Sequence, residues 1–128
     1  MGKGYLIDTN TAIDYLDDKL PQKGMQFMHK VIDNVPLAPV ITKIEVLRYN
    51  APENAYKVLT DFMADSTVLD LDNQVVDETI TICKTHRIKL PDAIIAATAS
   101  VFKLQLLTRN VSDFHHIKGL KVVNPHDL

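Results

Sequence analysis

The stretch Tyr5-Leu6-Ile7-Asp8-Thr9-Asn10 is a short apolar run that ends abruptly in three polar residues. A buried strand that leads into a turn or a helix N-cap has this pattern. Ala12, Ile13 and Leu16 then recur at helical spacing, so a helix is expected directly after the strand. This strand–helix unit is the first of a series that continues along the chain.

The same alternation extends to the C-terminal end of the sequence. Further helices are predicted to begin near Pro21, Thr42, Pro52, Asn73 and Pro91, with strands over 36–40, 67–71, 104–107 and 121–123 and a short turn or helix over 112–116. No repeat, linker or low-complexity segment interrupts the pattern. We therefore expect one domain over residues 1–128, a three-layer α/β/α sandwich with a mostly parallel central sheet.

The composition is that of a folded chain rather than a disordered one. The 128 residues are 46% hydrophobic and carry a net charge of -2, with 14 basic and 16 acidic side chains. This balance argues against a protein that coats nucleic acid with a basic surface. The single cysteine, Cys83, excludes an intrachain disulfide and fits a reducing compartment. No membrane span or signal peptide is visible in the sequence, so a cytoplasmic protein is expected.

Four carboxylates are predicted at one edge of the sheet. Asp8 follows the first strand, and Glu45 lies in the first turn of the helix after the second strand. Asp92 opens the alanine-rich helix, and Asp113 lies just past the fourth strand. Ligands of such sheets bind beyond the carboxyl ends of the strands, so these side chains should converge on one pocket. Their mutual repulsion would raise their pKa values. Hard oxygen ligands in this arrangement suit Mg²⁺ or Mn²⁺.

Each of these acids also has a purely structural explanation. Thr42 and Glu45 match a capping box, Asp92 can face the positive end of a helix dipole, and Asp8 and Asp113 can cap helices. Capping explains each position singly, but it does not explain why four acids share one edge of the sheet. We therefore favour a functional cluster.

Several other side chains are predicted to lie outside the cluster. They are Asp14, Asp17 and Asp18 on a solvated helix face and its end, Asp72 after the third strand, and His115 and His116 on the surface. Asp72 is the strongest competitor because it too lies at the carboxyl end of a strand. Cys83 shares a predicted apolar helix face with Val76 and Ile80, so we interpret it as a packing residue.

Four blocks of the sequence stand in the order of the motifs of a known family. They are Leu6-Ile7-Asp8-Thr9-Asn10, Ile41-Thr42-Lys43-Ile44-Glu45-Val46, Leu90-Pro91-Asp92-Ala93-Ile94-Ile95-Ala96-Ala97 and Leu107-Thr108-Arg109-Asn110-Val111-Ser112-Asp113-Phe114. With these blocks the chain resembles the PIN domain family, and in length and order the VapC-type toxins of toxin–antitoxin pairs. The likeness extends to Val123-Asn124-Pro125. Arg87 and Lys103 stand where the family often has glycines, in loops rather than at ligand positions.

The resemblance implies a PIN fold and a Mg²⁺- or Mn²⁺-dependent endoribonuclease. The residues that match functional positions of the family are the acidic quartet Asp8, Glu45, Asp92 and Asp113, the polar pair Thr9 and Asn10, and Asn110 near the fourth acid. By this resemblance Asp8, Asp92 and Asp113 hold one or two metal ions, and Glu45 orders the attacking water.

The resemblance also implies partners: an RNA substrate, a second copy in a homodimer, and a cognate antitoxin protein lying across the active-site groove. Candidates for contacts with the RNA backbone are Arg109, Lys43 and Lys89, and the apolar residues offered to a partner helix are Ile13, Leu16, Met25 and Met28. A PIN-type nuclease of housekeeping RNA or DNA processing, and a non-catalytic PIN-like binding scaffold, remain alternatives. A signalling receiver domain is disfavoured, because Ile7 rather than a second acid precedes Asp8.

Overall fold

Short strands alternate with helices in the computed structural model, which describes residues 4–128. The strands are β1 (Tyr5–Ile7), β2 (Leu37–Pro39), β3 (Thr67–Leu69), β4 (Gln105–Leu107) and β5 (Val122–Val123). The helices are α1 (Thr9–Leu16), α2 (Gln22–Asp33), α3 (Val40–Leu47), α4 (Glu53–Asp65), α5 (Asn73–Thr85), α6 (Leu90–Val101) and α7 (Val111–Phe114), followed by a 3₁₀ turn (Pro125–Asp127). The prediction that the sequence has no signal peptide rests partly on residues 1–3, which lie outside the described residues.

The strands form one five-stranded sheet in the order β3-β2-β1-β4-β5, and every described pair is parallel. Leu6 of β1 pairs with Leu37 of β2 on one side and with Leu106 of β4 on the other, so β1 is central. The chain builds outward from β1 to β3 and then crosses back to place β4 and β5. The topological switch therefore lies between β1 and β4, where ligands of open α/β sheets bind.

A hydrophobic core covers each face of the sheet, because successive strand residues point to opposite sides. Leu6 and Leu106 pack with residues of α5, α6 and α7, whereas Ile7 and Leu107 pack with residues of α1 to α4. The buried alanines of α6 bring that helix close to the sheet; they are Ala93, Ala96, Ala97 and Ala99. The predicted three-layer α/β/α sandwich is confirmed.

The start of α3 differs from the prediction. Pro39 has an extended backbone and is followed at once by helical residues, so α3 begins at Val40 rather than at Thr42. Thr42 is therefore buried inside the helix, and no acidic residue lies in its first turn. The capping box predicted for Thr42 and Glu45 is wrong, and the side chain of Glu45 is free for other contacts.

The predicted buried face of α5 is wrong by one position. Val75, Thr79 and Ile82 are buried, whereas Cys83 is exposed, as are Val76 and Ile80. The sequence carries two adjacent stripes of apolar or β-branched residues, and periodicity alone does not decide which of them faces the core.

Two other residues also differ from their predicted environments. Tyr56, expected to face inward from α4, is exposed, and its hydroxyl donates to the carbonyl oxygen of Leu47 at 2.8 Å. Met28, considered as apolar surface for a partner, is fully buried in the core, while Ile13 and Leu16 are half-buried. Among the described residues, no helix combines the length and the apolar character needed to cross a membrane.

Candidate active site

Asp8 lies at the switch point, directly after β1 and at the N-cap of α1. The residue is only 4% exposed. Its Oδ1 accepts a hydrogen bond from the backbone N–H of Thr9 at 2.7 Å. Its Oδ2 accepts from Thr108 Oγ1 at 2.7 Å and from Asn10 Nδ2 at 3.1 Å. The carboxylate is therefore held in one orientation by three neighbours.

The ends of β1 and β4 are tied together by further hydrogen bonds. The backbone N–H of Asp8 donates to Leu107 at 3.0 Å, and that of Arg109 donates to Asn10 Oδ1 at 3.0 Å. Thr108 is fully buried, and its hydroxyl also accepts from the backbone N–H of Asn110 at 3.1 Å. The sequence pattern predicts no role for Thr108. The strand register would have indicated one: Ile7 pairs with Leu107, so the residues that follow them, Asp8 and Thr108, must be neighbours.

Glu45 reaches the same edge of the sheet from α3. Its Oε1 accepts a hydrogen bond of 2.6 Å from Thr9 Oγ1, which also lies 3.2 Å from Thr42 Oγ1. Thr9 thus connects the end of β1 with α3. The family resemblance implies that Thr9 supports Asp8; in the structure its backbone N–H binds Asp8, whereas its side chain binds Glu45.

Asp92 lies in the first turn of α6 and is half-buried. Asp8, Glu45 and Asp92 line one cavity of about 820 Å³, as do Thr9, Asn10 and Asn110. Asp113, in the first turn of α7, is exposed and is not among the residues that line this cavity. Three of the four predicted acids therefore face a common space, with the fourth outside its lining.

The acids of this cavity act on one another electrostatically. Burial raises the pKa of Asp8 from its ordinary value of 3.8 to about 6. The hydrogen bonds from Thr108 and Thr9 oppose this rise, and the negative charges of Asp92 and Glu45 add to it. The pKa of Asp92 is also raised, first by burial and then by the negative charges of Asp113 and Glu45, while the positive charge of Lys89 lowers it. A bound cation would relieve this repulsion.

The donors of the cavity fit a hard divalent cation, although they do not form a ready-made cage. Within residues 4–128, no three His, Cys, Asp or Glu side chains are grouped so that they could hold a metal ion. Mg²⁺ commonly takes one or two carboxylates and completes its coordination with water and substrate phosphate. Asp8 and Asp92 supply carboxylate oxygens of that kind in one cavity.

The prediction that Asp14 lies on a solvated helix face is wrong. Asp14 is buried and contributes to the lining of the same cavity. Arg109 Nη1 lies 3.1 and 3.0 Å from its two carboxylate oxygens, and His126 Nε2 lies 2.9 Å from Oδ2. These partners are 95 and 112 residues away in sequence, which is why local periodicity gave no signal for them. Asp17 and Asp18 are exposed, as expected.

The remaining competitors lie elsewhere in the fold. Asp72 follows β3 at the edge of the sheet, and its carboxylate caps α5 by accepting from the backbone N–H of Val75 at 2.9 Å. His115 and His116 are exposed, as predicted. Helix capping therefore accounts for Asp72; it also describes Asp8, the N-cap of α1, but Asp8 lines the cavity as well.

A parallel α/β/α sandwich with carboxylates gathered at its switch point defines a class of proteins suited to cation-assisted chemistry on phosphate. The chain belongs to the PIN domain family, whose model, described as PIN domain, matches residues 5–120. The predicted family is thereby confirmed.

Several solved structures have the same fold, and they include a VapBC complex and a structure described as a toxin–antitoxin complex. A chain of "Crystal structure of DNA bound VapBC from Salmonella typhimurium" is 25% identical, with a TM-score of 0.81 over 95% of this chain and 98% of that one. A chain of "Toxin-antitoxin complex from Klebsiella pneumoniae" is 26% identical, with a TM-score of 0.74 over the same shares. A chain of FitAcB from Neisseria gonorrhoeae is 24% identical, with a TM-score of 0.76 over 97% and 99%.

A search of curated proteins found no significant match. The family match and the likeness to VapBC structures together support a nuclease of the VapC type, as the resemblance implied.

Proposed function

We propose that this chain is a divalent-metal-dependent endoribonuclease, and that it is the toxin of a VapBC-type toxin–antitoxin pair. The observation that carries the proposal is Asp8, a buried carboxylate at the switch point with its pKa raised to about 6, facing the same cavity as Glu45 and Asp92. A carboxylate held ionised against this burial costs stability, which is a recurrent feature of functional sites. We further propose that residues 1–128 form one domain and that the protein acts in the cytoplasm.

The proposed roles follow from the contacts of each side chain. Asp8 and Asp92 hold Mg²⁺ or Mn²⁺, and Asp113 joins them from α7 at the rim, where its charge already acts on Asp92. When bound, the metal makes water acidic enough to attack phosphorus at neutral pH and offsets negative charge on the phosphate. Asn10 and Thr108 hold the Asp8 carboxylate in place.

Glu45 is proposed to orient the attacking water and to accept its proton. Thr9 fixes Glu45 through the hydrogen bond of 2.6 Å, so the carboxylate is held at the cavity before substrate arrives. Its second oxygen has no hydrogen-bond partner among residues 4–128, which leaves that oxygen available to a water molecule. Asn110, on the cavity wall, is proposed to contact the substrate strand.

The proposed partners are an antitoxin and a second copy of the chain. The relative from Salmonella typhimurium is a VapBC complex bound to DNA. An arginine of the antitoxin would suit the acidic cavity, because a guanidinium can engage carboxylates bidentately and replace the metal as the positive charge.

The proposal is tested by incubating the purified protein with RNA and with DNA of the same sequence, with added Mg²⁺ and with a chelator. Cleavage of RNA that requires the metal and is lost in Asp8→Asn supports the proposal. Equal cleavage of DNA would indicate a general nuclease instead. Binding without cleavage of either polymer would indicate a non-catalytic scaffold. Growth arrest that disappears on co-expression with a neighbouring small protein would support the toxin role.

A further inference from the structure

Basic as well as acidic side chains line the cavity. Lys19, Arg48 and Arg109 all contribute to its lining. Of these three, Arg109 is the one whose side chain is paired with a buried carboxylate, that of Asp14. Among residues 4–128, Lys19 pairs only with the exposed Asp17, at 3.8 Å. The ion pair with Asp14 therefore holds Arg109 in a defined position at the cavity, whereas a long side chain in solvent has no fixed position.

The backbone of Arg109 is fixed relative to Asp8. Its N–H donates to Asn10 Oδ1 at 3.0 Å, and Asn10 Nδ2 donates to Asp8 Oδ2 at 3.1 Å. Two hydrogen bonds therefore connect the main chain at Arg109 with the carboxylate at the switch point. Asp8 and Arg109 also line the same cavity, so a nucleic-acid strand with a phosphate at Asp8 lies within reach of Arg109.

The guanidinium of Arg109 has donors to spare. Within residues 4–128 its hydrogen bonds to Asp14 all come from Nη1, and its side chain is 52% exposed. An arginine carries five N–H donors, so those on Nε and Nη2 have no partner among the described residues and are available to a ligand. A guanidinium fork of this kind matches the geometry of a phosphate.

Asp14 has a second partner, which helps to hold its carboxylate in place beside Arg109. His126 Nε2 lies 2.9 Å from Asp14 Oδ2, and His126 belongs to the 3₁₀ turn after β5. This turn docks so closely on α2 that a Cβ placed at Gly24 would overlap the carbonyl of Pro125. The position of His126 is thus set by packing and does not depend on Arg109.

We infer that Arg109 binds a backbone phosphate of the RNA strand at the rim of the cavity, and that Asp14, backed by His126, positions it. The inference rests on the proposed function, since it names how that substrate is held. An arginine that served only to neutralise Asp14 would leave RNA binding unchanged when replaced.

The test measures binding rather than cleavage. A labelled single-stranded RNA is titrated, in the presence of Mg²⁺, with protein carrying Asp92→Asn so that the strand stays intact. Adding Arg109→Gln should raise the dissociation constant about tenfold, the effect of losing one charged hydrogen bond. The slope of log Kd against log salt should also fall by about 0.7, one phosphate contact on a single strand.

Arg87→Gln is the matched control. Arg87 is exposed and does not line the cavity, so its replacement should change neither the dissociation constant nor the salt slope. Arg109→Lys keeps the charge for Asp14 and should retain most of the slope while binding less tightly, because a point charge replaces a fork. This second variant remains informative if Arg109→Gln fails to fold.

The positioning role is tested by Asp14→Asn. Its effect on RNA binding should be smaller than that of Arg109→Gln and should disappear in the Arg109→Gln background, because Asp14 acts through Arg109. Additive effects would overturn the positioning role. If Arg109→Gln matches Arg87→Gln while the wild type cleaves RNA, the inference fails and the proposed function stands. If the wild type neither cleaves nor binds RNA, both fail.

Discussion

Thr108 Oγ1 donates a hydrogen bond of 2.7 Å to Asp8 Oδ2 and so joins the end of β4 to the end of β1. Both residues are buried, and they follow the strands on either side of the switch point. The hydrogen bond favours the ionised carboxylate and opposes the effect of burial on the pKa of Asp8. Thr108 therefore holds the central acid in the charged form that a metal requires.

Replacing Thr108 with valine should weaken metal binding. The variant keeps the shape of the side chain but removes the donor, so the pKa of Asp8 should rise further and its orientation should loosen. Loss of such a supporting hydrogen bond commonly lowers metal affinity or activity about 10- to 100-fold. Mg²⁺ affinity is measured by calorimetry, and Thr108→Ser, which retains the hydroxyl, should stay close to wild type. Unchanged affinity in Thr108→Val would contradict this role.

Asp8→Asn should make the metal-free protein more stable while abolishing cleavage. The substitution removes a buried charge whose pKa is raised to about 6, so the gain in unfolding free energy near neutral pH should be about 1–3 kcal/mol. Mg²⁺ at about ten times its dissociation constant should stabilise the wild type by roughly 1.4 kcal/mol and the variant much less. Thermal unfolding with and without Mg²⁺ measures both effects. A less stable variant that still cleaves would make Asp8 an ordinary helix cap.

The same raised pKa predicts how stability depends on pH. Because Asp8 titrates near 6 when folded and near 3.8 when unfolded, the folded state holds its proton over a higher pH range. Its contribution to stability is therefore present below about pH 4 and is lost as pH rises through about 6. The difference in unfolding free energy between Asp8→Asn and wild type, both metal-free, should grow over this interval. A constant difference would mean that the carboxylate is not perturbed in the folded protein.

Asp72 and Asp92 should respond differently to the same substitution. Asp72→Asn should change the unfolding free energy by less than about 1 kcal/mol, because asparagine caps a helix about as well as aspartate, and it should leave cleavage within a few-fold of wild type. Asp92→Asn should lose cleavage, because it removes a carboxylate from the cavity. Cleavage rates and unfolding curves of the two variants are compared under one set of conditions. Equal loss of cleavage in both would assign the site to the wrong residues.

The sequence predicted the layers, the order of elements and the acids near the switch point, because those depend on local patterns. Asp8 after β1 and Asp92 at the start of α6 were both found from a strand end or a helix start. The start of α3 was misplaced, since Thr42 has the composition of a cap but lies within the helix. Composition locates a helix better than it locates the first residue of that helix.

The contacts that sequence reasoning missed join distant parts of the chain. Asp14 is predicted to be exposed because its partners lie far along the sequence: Arg109 follows β4, and His126 lies in the 3₁₀ turn after β5. Thr108 gained its role only when the parallel register placed it beside Asp8. Such side-chain pairs follow from strand order, and strand order was not fixed by the periodicity of any single element.

The most direct measurement is RNA cleavage by the wild type and by Asp92→Asn, each titrated with Mg²⁺ after removal of bound metal. We predict that the wild type cleaves only when Mg²⁺ is present, while Asp92→Asn remains folded and fails to cleave at any concentration tested. Arg87→Gln, an exposed substitution away from the cavity, should cleave as the wild type does. Cleavage that persists in chelator, or that survives in Asp92→Asn, would contradict a metal-dependent nuclease site at this cavity.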